Sequence, residues 1–189
     1  MKMSKNVNIY LEANPNPNSL KFVTDKILIN DGIIKDYPDV ESAINSPLAI
    51  SLFEFKYIKR VFIMSNFITL TKNEDISWDD IKIELRDFIK KYIEEEKTIL
   101  NKITAEDNNT PNRDIDKKII EVLEEYIKPA VEQDGGAIQF ESYNNGIVTV
   151  SLQGACSGCP SSMITLKDGI EKLLKRFIPE VNEVVAQEV

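Results

Sequence analysis

The sequence predicts an α+β protein: two small α/β domains joined by a flexible linker. Three observations predict it. The chain has 189 residues, 42% hydrophobic and 29% charged, enough apolar mass for two modest cores and too much for a disordered chain. Charge changes near residue 100: residues 1–100 carry 14 Lys/Arg against 16 Asp/Glu, and the remaining 89 carry 9 against 15. Between the halves, residues 104–113 (TAEDNNTPNR) hold no apolar side chain larger than alanine. Such a stretch cannot bury enough surface to offset its ordering entropy, so it reads as a linker. The expected division is 1–97, a linker over 98–113, and 114–189.

The elements of the first half follow in order. Val7–Glu12 and Leu20–Val23 flank a run alternating Asn and Pro from Asn14 to Asn18, two extended segments joined by a turn. Asp39 to Phe53 reads as helical with a break at Ser46-Pro47, where Ser46 can cap and Pro47 can occupy a first turn. Lys59–Met64 and Phe67–Thr71 are β-branched and aromatic runs separated by Ser65-Asn66, a hairpin pattern. Ser77 opens a capping box with Asp80, and the following helix carries Trp78, Ile81, Leu85, Phe88, Ile89 and Tyr92 at helical spacing. Trp78 reads as a core or staple residue.

In the second half the order is α-β-β-α-β. Asp114 caps a helix with the apolar stripe Ile115, Ile119, Val122, Leu123, Tyr126 and Ile127. Pro129 should bend this helix, because its ring clashes with the preceding turn. Asp134-Gly135-Gly136 ends it. Strands Ala137–Ser142 and Ile147–Gln153 flank Asn144-Asn145-Gly146, a hairpin turn. A second helix from about Ser161 to Phe177 carries Met163, Leu166, Ile170, Leu173, Leu174 and Phe177, Pro179 stops it, and Val181–Val185 can add an edge strand.

Composition excludes several functions. There is no histidine, which removes His-based acid/base catalysis, Ser–His and Cys–His nucleophiles and His-containing metal sites. An excess of 31 acids over 23 bases argues against nucleic acid as a partner. Two cysteines do not make a disulfide-rich scaffold. No window is apolar enough to span a membrane, and residues 1–19 resemble neither a signal nor a transit peptide, so the expected location is cytoplasmic.

One reactive constellation remains, Gly154-Ala155-Cys156-Ser157-Gly158-Cys159-Pro160-Ser161-Ser162, between the end of a strand and the start of a helix. Two thiols three positions apart can grip one soft metal ion or one edge of a cluster. Gly154 and Gly158 leave room for backbone to approach sulfur, and a helix N-terminus favours thiolates. A thioredoxin-like dithiol–disulfide oxidoreductase also wants a CxxC at a strand-to-helix junction. Its fold needs two more strands and a helix after the motif's own helix, and only residues 178–189 remain here. Zinc and iron–sulfur sites ordinarily want four ligands, while this chain offers two thiols. Two chains can close such a site together, which predicts a metal held across a two-fold axis, exposed and easily given away.

The residues around the thiols, with Leu166-Lys-Asp-Gly-Ile170 after them and Pro129-Ala-Val-Glu-Gln-Asp-Gly-Gly136 before, resemble the NifU C-terminal (Nfu) domain of iron–sulfur scaffold proteins over roughly Asp114–Gln187. The first half is similar to the Nfu N-terminal domain in Asn14–Phe22, Ser46-Pro47-Leu48-Ala49, Val61-Phe62-Ile63 and Phe67–Lys72. The resemblance implies a scaffold or carrier that is not an enzyme. Cys156 and Cys159 would ligate a [4Fe-4S] cluster bridging a homodimer, with a [2Fe-2S] form left open as an intermediate. Its partners would be upstream assembly proteins and apo-protein clients, with the N-terminal domain an accessory module for partner contacts. The chain departs from the family pattern at Ala137, where an acidic residue is expected, and at the Ser65-Asn66 hairpin, which lacks a glycine.

Overall fold

The computed structural model describes residues 6–101, 113–157 and 160–188, with side chains from Thr165 to Gln187 in the last segment. Two compact units emerge, one up to Ala105 and one from Glu106. Most of the expected linker, residues 102–112, lies outside the described residues.

In the first unit, strands β1 (Ile9–Ala13), β2 (Ser19–Thr24), β3 (Ile34–Tyr37), β4 (Ile58–Met64) and β5 (Phe67–Lys72) form one sheet in the order β1-β2-β5-β4-β3. Every neighbouring pair is antiparallel. Strand alternation puts Leu20, Phe22, Val61, Ile63, Ile68 and Leu70 on one face. There they pack with Leu48 and Leu52 of α1 (Pro47–Phe53) and with Ile81, Leu85 and Ile89 of α2 (Trp78–Glu94).

Ser46 caps α1 as its sequence suggests, its Oγ accepting from the Ala49 N–H at 3.1 Å and donating to the Ile99 carbonyl at 2.8 Å. The second bond, with Asn101 N–H on the Asn45 carbonyl at 2.8 Å, ties the segment after α2 to the start of α1. Ser77 caps α2 by accepting from Asp79 rather than Asp80 (3.2 Å). Trp78 sits edge-on to Phe22 and donates its Nε1–H to the Pro17 carbonyl at 3.2 Å, pinning the Asn/Pro turn. Ser65 supplies the hairpin's left-handed residue, φ 44°, without a glycine. Strand β3 has no sequence forecast, because Lys35 and Asp36 interrupt its apolar pattern. A two-pronged Arg60–Asp36 bridge (2.7 and 2.8 Å) holds it to β4.

The second unit begins with a helical run: α3 (Asp114–Val122), a π turn (Leu123–Ile127) and α4 (Lys128–Gln133). Strands β6 (Gly136–Asn144) and β7 (Ile147–Gly154) form an antiparallel hairpin, and after α5 (Pro160–Phe177) strand β8 (Glu183–Glu188) returns parallel to β7. Asn145 and Gly146 both take positive φ, 50° and 87°, the turn geometry that matches strand twist. Ile119, Val122, Leu123 and Val131 from the helical run, and Ile170 and Leu174 from α5, pack with Ile138, Val148, Val150, Leu152 and Val184.

Pro129 does not simply bend a continuous α-helix. The ring has no N–H for an i−4 partner, and the turn before it is widened so that Lys128 N–H reaches back five residues to the Leu123 carbonyl. The extra residue rotates Tyr126 out of the expected stripe to 45% exposure, where it stacks on equally exposed Phe177 with ring centroids 5.0 Å apart.

Candidate functional site

The CxxC loop is built from two glycine-dependent connections. At the end of α4, Gly135 takes φ +79° and its N–H returns to the Glu132 carbonyl at 3.0 Å. At the end of β7, Gly154 takes φ +66° and its carbonyl accepts the Ser157 N–H at 3.2 Å, closing a tight turn that contains Cys156. The two connections meet: Ala155 N–H donates to the Gly135 carbonyl at 3.2 Å, and Gly136 pairs with Gly154 across the hairpin.

Gly136 makes the thiol's place. A Cβ there would lie 2.8 Å from Cys156 Sγ and 2.7 Å from the Gln153 carbonyl oxygen, so the sulfur fits where residue 136 has no side chain. Cys156 is 8% exposed and belongs to the second unit's core, and α5 starts four residues further on. Its helix N-terminus, with N–H groups not used within the helix, favours a thiolate or an anionic ligand set nearby. Cys159 and Gly158 lie outside the described residues. Ala137, the departure from the family pattern, is buried on β6 opposite Gln153.

Two residues at this site go beyond the reading of the sequence. Gly136 reads there as part of a helix stop, yet one glycine suffices for that stop; the second, left over, is the signal of a close approach. Ser157 is 3% exposed and its Oγ has no hydrogen-bond partner. Among the described residues no group of three or more Cys, Asp or Glu side chains is placed to hold a metal, and no helix is long and apolar enough to cross a membrane.

Comparison with known proteins covers both units. The family described as NifU-like domain matches residues 119–185, and that described as Scaffold protein Nfu/NifU N terminal matches residues 9–96. Among curated relatives, the NFU1 iron-sulfur cluster scaffold homolog, mitochondrial, of Drosophila ananassae is 38% identical over 96% of this chain and 64% of its own length. NifU-like protein 4, mitochondrial, of Arabidopsis thaliana is 40% identical over 93% of this chain and 64% of its own. The human NFU1 homolog is 37% identical, with coverages of 93% and 70%. The chain thus spans less than two thirds of the length of the first two.

All three relatives are named as mitochondrial, which overturns the expected cytoplasmic location. That expectation rested on the composition of residues 1–19 alone. With both halves matched to the corresponding parts of one architecture, and full-span identity near 40%, the chain belongs to the Nfu/NifU-like family of iron–sulfur cluster scaffold proteins.

Proposed function

We propose that this chain carries a [4Fe-4S] cluster between two subunits, each contributing Cys156 and Cys159, and passes it to apo-proteins as a carrier rather than an enzyme. The observation that carries the reading is ligand number: the whole chain has two cysteines and no histidine, while a cluster ordinarily takes four thiolates. Two copies supply four. The seat of Cys156, ahead of a helix N-terminus, supports an anionic ligand set. A cluster shared across subunits is easier to release than one enclosed by a single chain, which suits cargo. Its clients are apo iron–sulfur proteins, and its suppliers are upstream assembly proteins.

The first unit holds no cysteine and so offers no thiolate to a cluster. Its proposed part is recognition. A thioredoxin-like dithiol enzyme is the competing reading, and the topology supports the carrier over it: β7, the strand that leads into the CxxC loop, is antiparallel to β6 in a hairpin and not part of a βαβ unit.

Anaerobic reconstitution with ferrous iron and sulfide tests the proposal. The expected result is two iron and two sulfide per chain at the mass of a dimer, lost in Cys156→Ser and in Cys159→Ser. Four iron on a monomer would overturn the shared site, and rapid disulfide turnover without iron would favour the dithiol enzyme.

A further inference from the structure

Among the described residues, four buried side-chain polar atoms lack a hydrogen-bond partner: Asn14 Nδ2, Asp116 Oδ1, Gln153 Oε1 and Ser157 Oγ. Two of the four belong to residues within three positions of Cys156. A buried polar group without a partner is destabilising, and native folds keep few of them without a reason. The two flanking atoms differ in chemistry. Gln153 Oε1 can only accept, and its amide already donates to Gln139 Oε1 at 3.1 Å. A thiolate or sulfide has no proton to offer it. Ser157 Oγ–H can donate, its residue is 3% exposed, and it sits next to a metal-ligating thiol in the tight turn closed from Gly154.

We infer that Ser157 is a positioning residue for the cargo, its hydroxyl donating a hydrogen bond to a cluster sulfur once the cluster is bound. This rests on the carrier reading above. No protein group meets the donor in the empty chain, and the cluster meets it in the loaded one. Its contribution therefore appears on binding rather than in the fold. Hydrogen bonds to the sulfurs of a cluster raise its reduction potential and stabilise its ligation. The hydroxyl would thus tune how long the cluster is held as well as its potential.

The signature is a pair of opposite signs. In Ser157→Ala, removing an unmet buried hydroxyl leaves the empty protein as stable as the parent or more so. In the loaded protein the same change speeds cluster loss to a ferrous chelator by about fivefold, the effect of one ordinary hydrogen bond. It also lowers the cluster's reduction potential. Thr and Val have the same shape and differ in the hydroxyl, so Ser157→Thr should retain the slow loss and Ser157→Val should not.

The experiment uses the full chain, reconstituted with iron and sulfide, and reads four quantities on parent, Ala, Thr and Val proteins. These are the melting temperature of the empty form, the rate of chelator-driven loss, the midpoint potential, and the Fe–S stretching frequencies by resonance Raman. Parent-like loss rates and potentials in the Ala and Val proteins would overturn the inference. So would an empty Ala protein that melts early in proportion to its cluster loss, since that marks a purely structural residue. A parent chain that takes up no cluster would overturn the carrier reading and this inference with it, whereas a loaded parent with unchanged variants overturns this inference alone.

Discussion

The sulfur of Cys156 lies where the side chain of residue 136 would be: a Cβ built on Gly136 comes within 2.8 Å of Sγ. The other close neighbour, the Gln153 carbonyl at 2.7 Å, is backbone of the paired strand and cannot swing aside. Gly136→Ala should therefore cost about 1–3 kcal/mol, as overpacking does, and move the thiol. Reconstituted iron per chain should fall along with the melting temperature. Gly169→Ala is the matching control. That glycine lies within α5 with nothing inside 4 Å of its added Cβ, so alanine should stabilise the helix by roughly 0.5–1 kcal/mol with iron uptake unchanged. Parent-like iron binding and melting in the Gly136 variant would show that the hairpin yields more easily than its geometry implies.

Ser46 is fully buried and joins two chain segments through one hydroxyl, capping α1 and holding the Ile99 carbonyl. Ser46→Ala leaves both the Ala49 N–H and the Ile99 carbonyl without that partner. The expected loss is about 2 kcal/mol. Trp78 is the one tryptophan in the chain and lies in the first unit, so its fluorescence during urea unfolding reads this loss directly. A midpoint within error of the parent would mean that water replaces both bonds at no cost.

Glu171 on α5 binds β8 by accepting the Val184 N–H at 3.1 Å. The Lys175 ammonium, bonded to the same carboxylate at 2.6 Å, and then the Val184 N–H hold its pKa below the ordinary glutamate value. A carboxylate lowered by folding contributes stability above the ordinary glutamate range and loses it as pH falls through the lowered value. Protection of the Val184 amide from hydrogen exchange, corrected for the intrinsic rate, should drop across that acid range. Glu171→Gln keeps an acceptor and removes the titration, so its protection should be flat with pH. A flat profile in the parent would show that the carboxylate does not govern the strand.

Much of this architecture is legible in the sequence because local chemistry decides it. Asn145-Gly146 forces its turn through two positive φ angles, and Ser46-Pro47 marks a helix start by what a hydroxyl and a proline ring can do. The misses have a common physical origin: they depend on partners distant in sequence or on slips in period. Strand β3 relies on Arg60 to neutralise Asp36. The π turn adds one residue to a helical period and carries Tyr126 outward, which a fixed period does not foresee. At the site, the thiol spacing can be read along the chain, while the room for Cys156 is set by a glycine on the neighbouring strand.

On the carrier reading, that room couples ligation to folding. Gly136 and Cys156 are 20 positions apart and become neighbours only when the hairpin has closed, so an unfolded or partly synthesised chain has its thiols but not their setting. Any metal species that prefers this setting to the open chain draws the folding equilibrium toward the closed hairpin by mass action. On that reading, a chain whose strands have slipped in register lacks this setting and competes poorly for the metal.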